Sequence, residues 1–380
     1  MMSRKSILLL GLYSLVLGPI VAFISHLFLF SLDQAQKLRG ETPSWIWILP
    51  VLGILMALGR SKLSERFHWG VAHLITELRT PRQRANPLLS IWIFVTSVLS
   101  HLGGGSVGRE GVGLVVSGSL VDGISPWKED SRERSILLQS ALSAGFTGMF
   151  GTPLAGLIFI FELNQFREIL SPLRWLIILL ATFSTYFCGL WLETPHASFE
   201  SYGGASWQGL LLLVLGIAIA CYSFYYVFVF MHHQMKRLGI WQSPLGGLLI
   251  ALILFYFGTR YSGLGTDIIL EATQGKALPW DWILKLLLTA FTIASGFKGG
   301  EVTPLFFIGS TMGAWLGSYT GDPELAKIGF VAVFGSLTHT PIAAAVLSAE
   351  LFGAWSILPS LGVTYAGVWI LRNRHLYRLE

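Results

Sequence analysis

Apolar runs fill this chain, but they come in two lengths, and that alternation restricts the fold more than any other feature. Runs at 7–30, 44–59, 86–100, 168–190, 208–231, 243–258, 279–295 and 356–371 read as membrane-crossing helices. Between them lie short or glycine-broken runs at 66–78, 109–124, 132–149, 153–163, 302–317, 325–336 and 341–352. A bilayer holds no water to satisfy a bare N–H or C=O, so the irregular pieces must be buried or line a cavity. Short broken segments in matching places of two halves point to a transporter's midplane site.

Composition agrees with a membrane protein. Over 380 residues, 53% are hydrophobic and only 12% charged, too few charges to cover a soluble domain of this size. The run at 7–30 is too long for a signal-peptide core and lacks a cleavage site, so it reads as a retained helix. Cys188 and Cys221 lie in apolar runs without metal-ligand spacing and read as free thiols. The net charge of +5 calls for no nucleic-acid partner. Basic residues gather outside the long runs, at Arg4-Lys5, Arg60 to Arg66, Arg79 to Arg84, Lys236-Arg237 and Arg372 to Arg378. The positive-inside rule places these loops and both termini in the cytoplasm, with the chain passing repeatedly through the cell's inner (plasma) membrane.

Two segments carry the chemistry. One is Gly103-Gly-Gly-Ser-Val-Gly-Arg-Glu-Gly-Val-Gly113; the other is Gly296-Phe-Lys-Gly-Gly-Glu-Val-Thr-Pro-Leu-Phe306. Charge at membrane depth marks function by default. Glycine lets backbone amides approach a ligand closely, and a helix N-terminus attracts an anion without a full positive charge. Conduction needs binding weak enough to release, which amides supply better than a fixed lysine. Glu110 and Glu301 then sit where an anion would bind. An ionised carboxylate competes with the anion for amides; a protonated one withdraws or donates a hydrogen bond. Pro304 reads as a helix start whose free amides aim back toward Val302 and Thr303.

The two halves can be superimposed. Gly148-Met-Phe-Gly-Thr-Pro-Leu-Ala-Gly-Leu-Ile-Phe-Ile-Phe-Glu-Leu163 lies on Ser336-Leu-Thr-His-Thr-Pro-Ile-Ala-Ala-Ala-Val-Leu-Ser-Ala-Glu-Leu351 at an offset of 188, and Glu110 on Glu301 at 191. The chain therefore reads as one transmembrane domain over 1–380, with approximate repeats at 44–190 and 208–371.

These motifs resemble the CLC family of anion channels and proton-coupled antiporters. Gly108-Arg-Glu-Gly-Val112 is similar to its Gly-Arg-Glu-Gly-Pro motif. Ala144 to Gly156 resembles its next helix pair, and Gly299-Gly-Glu-Val-Thr-Pro304 falls where the family has Gly-x-Phe-x-Pro. The resemblance implies an all-α polytopic fold of two inverted-topology repeats, short broken helices meeting at a midplane anion site, and a homodimer with one pathway per subunit. It implies no cofactor, and no cytoplasmic regulatory domain is expected after Glu380. Two departures, Val112 for proline and Glu301 at a usually neutral place, resemble the fluoride/proton antiporter branch. On that likeness Glu110 and Glu301 are the proton and gating residues. Gly108, Arg109, Gly111, Val112, Val302, Thr303 and Tyr377 surround the anion. The internal proton glutamate of chloride/proton exchangers falls at Leu163, which cannot titrate. The family's first anion motif, Gly-Ser-Gly-Ile-Pro or Gly-Asn-Gly-Met-Asn, is absent; Gly70, Val71, Ala72 and His73 occupy its region.

The expected function is fluoride export against proton entry. The alternative is a chloride channel or chloride/proton exchanger of the same family. An intramembrane enzyme built on Ser106 or His339 is the distant third, for no serine–histidine pair or metal-ligand cluster stands out. Blander readings stand beside these. Glu110 can simply pair with Arg109, and Glu301 with Lys298 on a surface loop. Thr303 can be an N-cap, Tyr377 an interfacial anchor and His73 an interfacial histidine. Glu162 and Glu350, which end matching segments, read as structural or water-facing.

Overall fold

The computed structural model describes residues 4–166, 171–196, 199, 203–372 and 374–378. These form α1 (Arg4–Glu41), α2 (Ile48–Lys62), α3 (Val71–Arg79), α4 (Leu88–Leu102), α5 (Glu110–Ile124), α6 (Arg132–Phe150), α7 (Pro153–Leu163) and α8 (Pro172–Trp191). They continue as α9 (Trp207–Lys236), α10 (Gln242–Phe257), α11 (Thr266–Thr273), α12 (Asp281–Ala294), α13 (Val302–Thr320), α14 (Leu325–Thr338), α15 (Pro341–Phe352) and α16 (Ile357–Leu371). No strand occurs among the described residues, so the fold is all-α.

The interior and exterior are arranged for lipid. Among the described residues, the segments 5–41, 43–62, 172–191, 207–236, 239–257 and 354–371 are long and apolar enough to cross a membrane, and each buries only 33–39% of its most apolar stretch. Large side chains such as Leu8, Val51, Leu215, Phe257 and Trp369 point outward. The short helices α5, α6, α13 and α14 are almost wholly buried and rich in Gly, Ser and Thr. Lipid offers helices no hydrophobic reason to associate, so close backbone contact must hold them. The α13–α14 pair shows this best: a Cβ on Gly309 would stand 2.0 Å from the carbonyl oxygen of Gly329. Two runs expected to be full-length are shorter here, since α4 has 15 residues and α12 has 14. The first helix is longer than its apolar run and carries on to Glu41.

The matching Thr-Pro segments open α7 and α15, with proline in the first turn where its missing N–H costs nothing. Neither threonine caps its helix. Glutamates from the far ends do so instead. Glu162, at the end of α7, accepts hydrogen bonds from the amides of Ile342 (2.9 Å) and Ala343 (2.7 Å) at the start of α15. Glu350, at the end of α15, accepts from Leu154 (3.0 Å) and Ala155 (2.7 Å) at the start of α7. The helices are therefore antiparallel and clasped at both ends. Bare helix starts have no water to turn to in a membrane, and carboxylates satisfy them with favourable charge. These bonds give Glu162 and Glu350 a structural part, and each also lines a cavity.

Several other charges are paired, whereas Lys285, buried inside α12, donates to the carbonyls of Tyr261 and Gly263. Arg134 bonds Asp122 (2.6 Å) and Glu77 (3.3 Å), tying α6 to α5 and α3. Lys327 pairs with Glu324 at 2.9 Å, and Arg260 with Asp281 at 3.0 Å.

Candidate functional site

The starts of α5 and α13 meet in the middle of the molecule. Just before them, Gly108 and Gly300 exchange both backbone hydrogen bonds, the Gly300 amide reaching the Gly108 carbonyl at 2.7 Å. Only glycine permits this approach: a Cβ on Gly300 would sit 2.8 Å from the amide nitrogen of Gly111, and one on Gly108 2.8 Å from that of Thr303. Both helix starts thus open onto one crossing of the chain.

Glu110 is the first residue of α5 and is 1% exposed. Its carboxylate lies on the start of the other helix. It accepts a hydrogen bond from the Thr303 amide at 3.0 Å and another from the Thr303 hydroxyl. The Arg109 amide (3.3 Å) and Nε (3.4 Å) complete its surroundings. A helix N-terminus is an anion site, and here a side-chain carboxyl group sits in it. Thr303 is not the cap of α13, because Glu301 holds that position and Val302 is the first helical residue. Pro304 falls inside the first turn rather than at its start.

Glu301 faces elsewhere. It lines a cavity of about 290 Å³ together with Trp69, Gly70, Val71, Gly111, Val112, Lys298 and Tyr377. A Cβ on Gly111 would come within 3.8 Å of Glu301 Oε2, so the start of α5 lies against the second carboxylate. Glu301 is half-buried on this inner wall, not on a surface loop. Glu110, Arg109 and Thr303 line a different cavity of about 60 Å³, walled by Phe150, Phe199, Phe306 and Phe330. The two cavities share no lining residue.

The remaining expected residues divide. Gly70 and Val71, at the start of α3, line the large cavity, whereas Ala72 and His73 are not on its wall. The His73 ring turns back, its Nδ1 accepting the Gly70 amide at 3.4 Å while the ring stacks on Trp69 at 5.9 Å. Tyr377, on a turn at Leu376–Arg378, is brought beside Glu301's cavity. Val302 is buried against the crossing. Leu163 is buried, and its carbonyl accepts from Arg79. Ser106 bonds Thr289 at 2.9 Å, while His339 ends α14 with its ring 4.9 Å from that of His375. They sit on separate elements. Among the described residues no group of three His, Cys, Asp or Glu side chains is placed to hold a metal. What local pattern did not reveal is the exchange of partners, in which a carboxylate on one helix serves the start of another. The repeat offset was the available signal.

Comparison with known proteins follows the same lines. A model of the family described as "Voltage gated chloride channel" matches residues 60–372. The chain is similar to a chloride/fluoride channel protein of Pseudomonas syringae pv. tomato, 34% identical over 92% of this chain and 80% of that one. It is also similar to a voltage-gated ClC-type chloride channel, ClcB, of Salmonella typhi, 24% identical over 90% and 88%. Among solved structures, a CLC-type fluoride/proton antiporter superimposes with a TM-score of 0.91 at 29% identity, over 100% of this chain and 99% of that one. A slow cyanobacterial Cl⁻/H⁺ antiporter gives 0.83 at 17% identity over 100% and 97%, which speaks to the fold alone.

Proposed function

The chain belongs to the voltage-gated chloride channel family, and we propose that it is a fluoride/proton antiporter that expels fluoride as protons enter. One observation carries this reading: the Glu110 carboxylate occupies the start of α13 through the Thr303 amide and hydroxyl, while a second carboxylate, Glu301, lines the opposite cavity. The likeness to a fluoride/proton antiporter and to a chloride/fluoride channel protein supports fluoride as the anion.

The cycle runs on competition. Ionised Glu110 holds the Thr303 donors, and fluoride cannot take them. A proton on Glu110 removes its charge, weakens those bonds and leaves the amide and hydroxyl to fluoride. Glu301, as an acid, donates a hydrogen bond to the fluoride arriving past Tyr377 and Gly70, and its proton leaves toward the large cavity. Fluoride is small and accepts hydrogen bonds strongly, so a carboxylic acid and a hydroxyl suit it better than they suit chloride. With leucine at 163, Glu301 takes over the proton's inner route. Gly108 and Gly111 keep the amides within reach, and Arg109 steadies ionised Glu110. Val112 and Val302 close the crossing.

The same reading extends to setting. The protein passes repeatedly through the inner (plasma) membrane amid lipid as a homodimer, with no cofactor, no nucleic-acid partner and no enzyme activity. Its large cavity, reached past the basic segments after α2 and α16, faces the cytoplasm with both termini. The repeats are 44–190 and 208–371, supported by the offsets and the reciprocal clasp of α7 and α15.

The test is purified protein in liposomes, with fluoride efflux, chloride efflux and proton uptake recorded together. Fluoride leaving faster than chloride, with protons taken up, is the expected result. Equal or faster chloride efflux would favour the chloride channel or exchanger, toward which the name of the Salmonella relative points.

A further inference from the structure

A third cavity, of about 230 Å³, lies beside the one that holds Glu110. It is bounded by the α6–α7 turn, the end of α8 and the end of α15, with Thr147, Gly148, Thr152, Thr194, His196 and Glu350 on its wall. Phe150 and Leu351 line both cavities, so two side chains alone are common to them.

Its lining mixes polar and apolar side chains. The carbonyl end of α6 and the Glu350 carboxyl offer acceptors to water, with the start of α7 beside them. The hydroxyls of Thr147 and Thr152 are almost fully buried and have no protein partner. Thr152 stands where a helix cap would be, but the amides it would have served are held by Glu350. A buried hydroxyl without a protein partner is costly unless water satisfies it. The imidazole of His196 bonds the Gly148 carbonyl at 3.3 Å. Burial, and then the Arg109 guanidinium, hold its pKa below the usual histidine range, so it is a neutral donor and acceptor. Glu350 from α15 and the Tyr186 phenol from α8 also line the space, the Arg109 guanidinium acts on His196 from before α5, and His26 of α1 places its Nδ1 3.3 Å from the Thr194 hydroxyl.

We propose that this cavity is a water-filled proton port, separate from the anion's exit, that loads Glu110 from the face opposite the large cavity. The proposal rests on the antiporter reading above. A proton passes from water in the port, past Phe150 and Leu351, to the Glu110 carboxylate, which then releases the Thr303 donors. Fluoride leaves by the smaller aromatic-walled cavity beside Arg109. The two routes are separate up to Glu110, which lines the anion's cavity and not the port.

Gly189 of α8 allows the test. It lines the port, and a Cβ there meets only the Thr194 hydroxyl, at 3.8 Å. Gly189→Leu adds bulk at the wall of the port, where its Cβ has room, and Gly189→Ser adds far less. Fluoride efflux and proton uptake are recorded in liposomes, in H₂O and D₂O, in sodium and in N-methylglucamine salts. Both fluxes of Gly189→Leu should fall about tenfold, and the solvent isotope effect should rise because proton delivery now limits the cycle. Gly189→Ser should resemble the parent. Thr152→Val, equal in size but lacking the hydroxyl, should move in the direction of Gly189→Leu, and it decides the question if the leucine variant does not fold. Parental rates and isotope effects in the folded variants overturn the port. So does slowing without a raised isotope effect, which marks a blocked motion, or a requirement for sodium, which marks a cation site. If the parent itself takes up no protons, the antiporter reading fails instead.

Discussion

Two pairs of glutamates stand at matching offsets in the sequence, and their surroundings differ. Glu162 and Glu350 form a symmetrical clasp: each accepts two backbone amides at 2.7–3.0 Å from the other's helix. Glu110 and Glu301 share the same arrangement of helix starts but have lost the symmetry. Glu110 crosses to the far helix and holds one far-helix amide and one hydroxyl, whereas Glu301 stays beside its own cavity. A carboxylate held by two amides from a rigid helix is fixed. Glu110 is held by one far-helix amide, a rotatable hydroxyl and the neighbouring Arg109, and on the proposed reading it exchanges its place with an anion. The comparison teaches that matching places in the sequence do not impose matching donors; the kind of donor differs between the pairs.

The comparison predicts unequal losses. The largest effect belongs to Glu110→Gln, which keeps the shape but cannot titrate. Fluoride-driven proton uptake should fall at least a hundredfold, to background, because a positioned proton carrier is removed. Uphill proton pumping by this variant would dissolve the distinction between the pairs. Next comes Glu301→Gln, which retains a donor but loses the exchangeable proton. Coupled fluoride transport should fall roughly tenfold, and further in Glu301→Ala, which also loses the hydrogen bond. Parental rate and stoichiometry in either variant would make Glu301 a passive wall residue. The clasp should respond in another quantity. Glu162→Gln loses charge-assisted bonds worth about 1.5–3 kcal/mol, lowering the melting temperature in detergent by a few degrees. Its fluoride-to-proton ratio should not change, and a changed ratio would draw Glu162 into the transport cycle. Smallest is Thr303→Val, which removes one hydroxyl from Glu110's place. The fluoride concentration for half-maximal transport should rise about threefold to tenfold, while Thr303→Ser stays near the parent.

Much of this was legible in the sequence because helix boundaries in a membrane follow glycine, proline and charge. The runs read at 153–163 and 341–352 are α7 and α15 to the residue, and those at 302–317 and 325–336 fall short of α13 and α14 only at their ends. The Glu110 and Glu301 segments meet as their offset suggested. Partner choice was not legible. Nothing local to Glu350 says that it serves Leu154, because that bond depends on how two helices pack. The same holds for Arg134, which joins Asp122 and Glu77 across three elements. In the region of the missing motif, only Gly70 and Val71 reach the cavity. His73 was drawn away to the Gly70 amide, a local bond that a helix start invites.

The central claim is that the Glu110 carboxylate and fluoride compete for the Thr303 donors, with a proton settling the contest. Titration calorimetry of fluoride into purified protein tests it directly, using buffers that differ in ionisation heat so that protons taken up on binding can be counted. The parent should take up protons as fluoride binds, and Glu110→Gln should bind fluoride with that uptake removed. Fluoride binding by the parent without proton uptake, or undiminished uptake in Glu110→Gln, would contradict the account.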